Sequence, residues 1–256
     1  MIVSPQNPRV KLARRLQQRR DAREAEGLFV AEGTRLVDDL AAAGMQIAYA
    51  IVADRPTAHA WCDRYPQVDR LLVSDHTMRG LSTEVTPPGV LAVFHIPKTP
   101  SLHLFEQAPI LLILDALKEP GNLGACLRVA AGADCRHVLL SPGCVDLYNP
   151  KVVRGAMGAH ARILARQCDW PDMRTLCAGR PVWAADAAGA HDYDAMDWRR
   201  PSALILGGEA EGVSSEARDM ASGAVRIPLA NRVESLNVAV ACGVILFEIA
   251  RQRRAS

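Results

Sequence analysis

Short apolar runs alternate with stretches of helical spacing along the whole chain. Leu28-Phe29-Val30-Ala31, Ile47 to Val52, Arg70 to Val73 and Val90 to Phe94 each predict a strand. Between them, Gly33 to Ala43 predicts a helix stopped by Gly44, His59 to Tyr65 a second, and Met78 to Leu81 a helical turn. Ahead of the first strand, Pro8 to Gly27 has a helical pattern but is mostly polar, with Val10, Leu12, Leu16 and Ala22 as its few apolar positions. The two prolines of Ile96-Pro97-Lys98-Thr99-Pro100 mark a connector. A second alternation follows, with strands expected at Ile110–Asp115, His137–Ser141, Val182–Asp186, Ala203–Gly207 and Ala224–Pro228. Its last helix runs from about Leu236 to Arg251 and ends in Arg251, Arg253 and Arg254, which suit the negative end of a helix dipole. The pattern predicts an α/β protein: a small α/β sandwich over residues 1–96, a linker over 97–107 and a second α/β domain over 108–256.

Composition adds bounds. Apolar residues make up 49% of the chain, enough for a real core and too many for disorder. The net charge of +2 names no partner by itself. Cysteines at 62, 126, 135, 144, 168, 177 and 242 form no Cys-x-x-Cys, which reads as reduced thiols in a cytoplasmic protein with no metal site. The N-terminus lacks a signal-peptide core, and no run reaches membrane-span length. Charge is concentrated locally instead. Arg9, Lys11, Arg14, Arg15, Arg19, Arg20 and Arg23 crowd the first helix against Asp21 and Glu24. That is either a solvated face or a surface for RNA phosphates. Lys151 and Arg154, followed by Gly155-Ala156-Met157-Gly158-Ala159, form a second basic stretch.

Candidate chemistry lies at the carboxyl ends of the expected strands, where open α/β sheets bind ligands. Leu111 to Asp115 leads to Pro120-Gly121-Asn122-Leu123-Gly124 and Arg128; Ala203 to Leu206 leads to Gly207-Gly208-Glu209-Ala210-Glu211-Gly212; Arg226-Ile227-Pro228-Leu229 leads to Ser235-Leu236-Asn237-Val238. There is no Gly-x-Gly-x-x-Gly and no phosphate loop, so the common nucleotide folds are not signalled. Taken singly, the glycines read as a tight strand-to-helix turn and Ser235 as a helix N-cap. Asn237 is harder to explain by helix formation alone, because Leu or Ala would serve better there.

Together and in this order, Asn122, Gly124 and Arg128, then Gly207, Glu209 and Gly212, then Ile227, Pro228 and Ser235-Leu236-Asn237-Val238 resemble the SpoU-type RNA 2′-O-ribose methyltransferases of the SPOUT superfamily. The resemblance implies a parallel-sheet catalytic domain tied in a deep trefoil knot, with S-adenosylmethionine as cofactor. It assigns the cofactor site to Leu206, Gly207, Gly208, Glu209, Gly212, Ile227, Leu229, Ser235 and Leu236. It assigns catalysis to Arg128, Asn122, Glu209, Ser235 and Asn237. Arg128 would be the ribose-activating base or, since a guanidinium is a poor base at neutral pH, a phosphate clamp. Glu209 would anchor Asn122 or Arg128. Methyl transfer of this kind needs neither metal nor covalent intermediate.

Ser4-Pro5-Gln6-Asn7-Pro8 and Phe29-Val30-Ala31-Glu32-Gly33 resemble the substrate-binding domain that often precedes such enzymes. That favours ribosomal over transfer RNA as partner, with Arg9, Lys11, Arg14, Arg15, Lys151 and Arg154 as RNA contacts. Gly155-Ala156 stands where relatives often carry Ala-Ser, which removes one serine contact. The resemblance also implies a homodimer paired through the last helix. Leu236, Val240, Val244 and Phe247 form a stripe along it, with Ala239, Gly243 and Ala250 alongside. The alternatives are a transfer-RNA 2′-O-methyltransferase, or a non-catalytic RNA-binding or ribosome-assembly protein of the same fold.

Overall fold

The computed structural model describes residues 2–208 and 212–255. It divides into two compact units, one made of Met1–Lys98 with Asp146–Ala161, the other of Thr99–Val145 with Arg162–Ser256.

In the first unit the elements are α1 (Pro8–Gln18), α2 (Arg20–Glu26), β1 (Leu28–Glu32), α3 (Thr34–Ala42), β2 (Ile47–Ala53), α4 (Pro56–Arg64), β3 (Arg70–Val73), α5 (Asp75–Leu81) and β4 (Val90–His95). The sheet order is β1-β4-β2-β3, antiparallel except for the β2–β3 pair. Alternation along the strands feeds two cores. Tyr49, Ile51, Leu91 and Val93 face Val10, Ala13 and Leu16 of α1 and Met78 of α5. Ala50, Val52, Val90 and Phe94 face Leu36 and Val37 of α3 and Trp61 of α4.

The expected single helix over Pro8 to Gly27 is two helices. Arg19 is extended (φ −127°, ψ 123°), and Gly27 closes α2 in the left-handed region. The break lets Arg23 turn inward. It is buried, donates to the Leu16 carbonyl and pairs with Asp146 at 2.6 Å.

The second unit starts with α6 (His103–Glu106), so part of the expected linker is ordered, with Phe105 fully buried. It continues through β5 (Ile110–Asp115), α7 (Pro120–Gly132) and β6 (His137–Leu140). The chain then enters residues 146–161, which hold α8 (Pro150–Ala156). Sequence boundaries put this segment in the second domain, but its contacts are in the first unit: the Tyr148 and His160 rings pack on Phe29, and Val153 joins the α3–α4 core.

The rest of the second unit is β7 (Leu164–Gln167), α9 (Trp170–Cys177), β8 (Val182–Ala185), β9 (His191–Asp192), β10 (Ser202–Gly207), α10 (Ser215–Met220), β11 (Gly223–Arg226) and α11 (Val238–Arg254). The strands β7 and β9 were absent from the sequence pattern; one is short and half polar, the other two residues long. The seven-stranded sheet has the order β7-β6-β5-β10-β8-β11-β9, with every pair parallel. Its central strands are buried on both faces, which explains their unbroken apolar runs. All seven cysteines are free and buried.

Candidate active site

Because the strands are parallel, β5, β10, β8 and β11 end at one edge of the sheet, in the register Gly207 beside Asp115 and Leu206 beside Ala185. A cleft of about 430 Å³ opens there. Leu206, Gly207, Gly208, Gly212, Ile227, Leu229, Ser235, Leu236 and Asn237 line it, so the second and third motifs meet. The sequence reading missed Ala185, Asp186 and Ala187 after β8, and Val238, Ala241 and Ile245 on α11. The strand pattern could have pointed to the first group, since β8 ends beside β10.

The glycine turn is held tightly. The Gly212 N–H donates to the Gly208 carbonyl at 3.0 Å. A Cβ on Gly207 would overlap the backbone of Gly212 and Val213, and Gly212 has a φ of +66°. Gly207 therefore requires glycine, and the left-handed backbone at Gly212 favours it. Just past the turn, Ser214 caps α10, and its backbone N–H donates to the buried Asp115 carboxylate at 2.7 Å. The other Asp115 oxygen accepts from the Ser141 hydroxyl at 2.8 Å. This ties the turn to the ends of β5 and β6. Glu209, expected to anchor Asn122 or Arg128, lies outside the described residues.

Asn237 is the N-cap of α11, accepting from the N–H groups of Ala239 at 2.9 Å and Val240 at 3.4 Å. Ser235, expected as the cap, lies two residues upstream in the cleft wall, because the helix begins at Val238 rather than Leu236. The Asn237 amide also donates to the Asn122 side-chain oxygen at 2.9 Å. That bond joins the first motif to the third, over the packed pair α7 and α11. Asn122 and Arg128 both lie on α7, and neither lines the cleft. The Arg128 side chain is exposed and makes no hydrogen bond or ion pair with any described residue.

Aliphatic walls from Ile227, Leu229, Leu236 and Ile245, beside backbone that glycine leaves open, fit the faces of a purine and the size of an adenosyl group. S-adenosylmethionine supplies a methyl group on a sulfonium. Held at these strand ends, such a ligand would have Asn122 of α7 near it, through the Asn237 bond.

The expected RNA contacts are unequal. Arg9 is committed within the first unit: it pairs with Asp69 at 2.8 Å and lies 4.1 Å over the Tyr49 ring. Arg154 pairs with Glu84. Lys11, Arg15 and Lys151 are exposed, and Arg14 is half-buried against Gly80 of α5. His160 is buried, bonded to the Leu147 carbonyl at 2.8 Å, and burial pushes its pKa down. One thiol and two carboxylates, from Cys168, Asp169 and Asp172, come within 4.8 Å of one another. Asp169 is already used there as the cap of α9. Among the described residues no helix is long and apolar enough to cross a membrane.

Residues 109–247 match the SpoU rRNA Methylase family, and residues 7–92 match the MRM3-like substrate binding domain. The mouse rRNA methyltransferase 3, mitochondrial, is 32% identical over 292 residues, covering 92% of this chain and 70% of that protein. The Bacillus subtilis 23S rRNA (guanosine(2553)-2'-O)-methyltransferase RlmP is 26% identical over 250 residues, covering 97% and 98%. The AdoMet-bound rRNA methyltransferase of Sinorhizobium meliloti superimposes with a TM-score of 0.84 at 29% identity, over 98% of this chain and 97% of that one. Motifs, fold and relatives agree, and the chain belongs to the SpoU rRNA methylase family of S-adenosylmethionine-dependent methyltransferases.

Proposed function

We propose that the protein transfers the methyl group of S-adenosylmethionine to a ribose 2′-hydroxyl of ribosomal RNA. The observation that supports this reading is the Asn237–Asn122 hydrogen bond, which joins Asn122 of the α7 motif to a residue of the cleft lining. In this reading Leu206, Gly207, Gly208, Gly212, Ile227, Leu229, Ser235 and Leu236 hold the adenosyl ligand, together with Glu209. Arg128, exposed and without a protein partner among the described residues, holds a substrate phosphate and so orients the hydroxyl beside it. A guanidinium keeps its proton far above neutral pH, which favours the clamp over the base. Asn122 and Asn237 fix the geometry between the two.

Ribosomal RNA is favoured by the names of the mouse and Bacillus relatives and by the substrate-binding domain match. The first unit would contribute RNA affinity through Lys11, Arg14, Arg15 and Lys151. The same reading includes a trefoil knot at the carboxyl end, a homodimer and a cytoplasmic site of action. Support for pairing comes from α11, where Val240 and Phe247 stand 51% and 48% exposed one heptad apart. The test is to incubate the chain with labelled S-adenosylmethionine and unmodified ribosomal RNA, then map new 2′-O-methyl positions. Label entering a base, or entering transfer RNA in preference, would reject it.

A further inference from the structure

The cleft contains one charge that no motif accounts for. Asp186 directly follows β8, the strand between β10 and β11. Among the described residues lining the cleft it is the sole ionisable side chain; the rest are aliphatic or small, apart from Ser235 and Asn237. Its position is fixed from several sides. The Asp186 N–H donates to the Val225 carbonyl at 3.0 Å, and its carbonyl accepts from Gly189 at 2.9 Å. Oδ1 accepts from the Ala188 N–H at 2.9 Å. Gly189 is pressed so closely on β11 that a Cβ there would stand 2.7 Å from the Val225 carbonyl carbon. Oδ2 has no partner among the described residues. A tightly held turn therefore presents a half-buried carboxylate, with one oxygen free, inside a cleft whose other described side chains are uncharged.

We propose that Asp186 is the ribose-recognising residue of the cofactor site, its Oδ2 accepting a hydrogen bond from the adenosyl 2′,3′-diol. The proposal rests on the reading of the cleft as the S-adenosylmethionine site. An ionised carboxylate only accepts hydrogen bonds, and an adenosyl ligand offers three kinds of donor: the diol, the purine amino group and the ammonium. Ile227, Leu229 and Leu236 supply walls for the purine faces, so the ring belongs on the β11 and α11 side. Asp186 sits one strand nearer the glycine turn of β10. In dinucleotide-binding folds an acidic residue near a strand's carboxyl end holds the ribose hydroxyls in this way. A half-buried carboxylate oxygen without a protein donor can exchange its water for a ligand hydroxyl, in a charge-assisted hydrogen bond.

The test is calorimetry on the full chain with S-adenosylhomocysteine, its 2′,3′-dideoxy analogue and S-adenosylmethionine. The wild type should bind S-adenosylhomocysteine on the order of tenfold more tightly than the dideoxy analogue. Asp186→Ala should bring that ratio close to one. Asp186→Asn keeps the acceptor for Ala188 and should give an intermediate ratio, and a thermal melt on each variant confirms folding. A wild type that binds none of the three ligands rejects the cofactor cleft itself. A wild type that binds but does not discriminate, or an Ala variant that discriminates as well as wild type, overturns the ribose assignment alone. Loss of affinity for S-adenosylmethionine but not for S-adenosylhomocysteine also overturns it, because the carboxylate would then serve the sulfonium charge.

Discussion

Arg128 lies on α7 outside the cleft lining, so its removal leaves the apolar walls intact. Arg128→Ala should abolish methyl transfer while leaving cofactor affinity within a few fold, as measured by calorimetry beside a transfer assay. Near-normal turnover would reject the clamp. His160 offers a pH signature. Burial lowers its folded pKa, with the Leu147 bond and Asp146 opposing, so above an unfolded pKa of about 6.5 it costs nothing. As pH falls below that value the unfolded chain takes up the proton first, and stability declines. The urea midpoint should drop between pH 7 and pH 5, and His160→Gln should flatten the drop; an equal drop in the variant would remove His160 as its source.

The motif residues were legible because they are short signals at strand ends. The exchange of the cap from Ser235 to Asn237 was not, because either residue can cap and only the helix start decides. Asp186 closed a strand that the pattern did show, but a lone acid at a strand end belongs to no motif that would single it out.

At the scale of elements, α11 decides the most. The sequence stripe treats Gly243 as a place for another subunit's helix, but the space above Gly243 ends at Val129 of α7, 4.0 Å from an added Cβ. A large residue there would disturb the α7–α11 pair within one chain, so it is a poor probe of pairing. Val240 is the better one, exposed and on the same face as Phe247. Val240→Asp should shift the protein toward monomer in light scattering and leave its far-ultraviolet circular dichroism unchanged, with a melting temperature that no longer rises with protein concentration; a wild type already monomeric at micromolar concentration and fully active would reject pairing. The strands with long apolar runs were all legible, since a strand buried on both faces has no other pattern to show. The helix break at Arg19 was not, because Arg23 turns inward to meet Asp146, a partner far along the chain.

The whole molecule turns on residues 146–161, which contact the first unit although both of their neighbouring segments belong to the second. The grouping rests on long-range partners: Arg23 with Asp146, Phe29 with Tyr148 and His160, Glu84 with Arg154. Pairings this far apart leave no periodicity, so a boundary drawn at the prolines passes over them. Removing 1–98 then has two effects. The second unit keeps the whole seven-stranded sheet and the described cleft lining, so cofactor affinity should stay within a few fold. The 146–161 segment loses the ion pair, the Phe29 ring and the strand that α8 packs on. A seven-residue helix is well below the length at which an isolated helix holds its shape in water. In limited trypsin digestion the truncated protein should be cut at Lys151 and Arg154, while the full chain resists there. RNA affinity should fall on truncation, and binding by the full chain should weaken steeply with salt as counterions are released. Equal protection of Lys151 and Arg154 in both proteins would show that the second unit can hold 146–161 without the first.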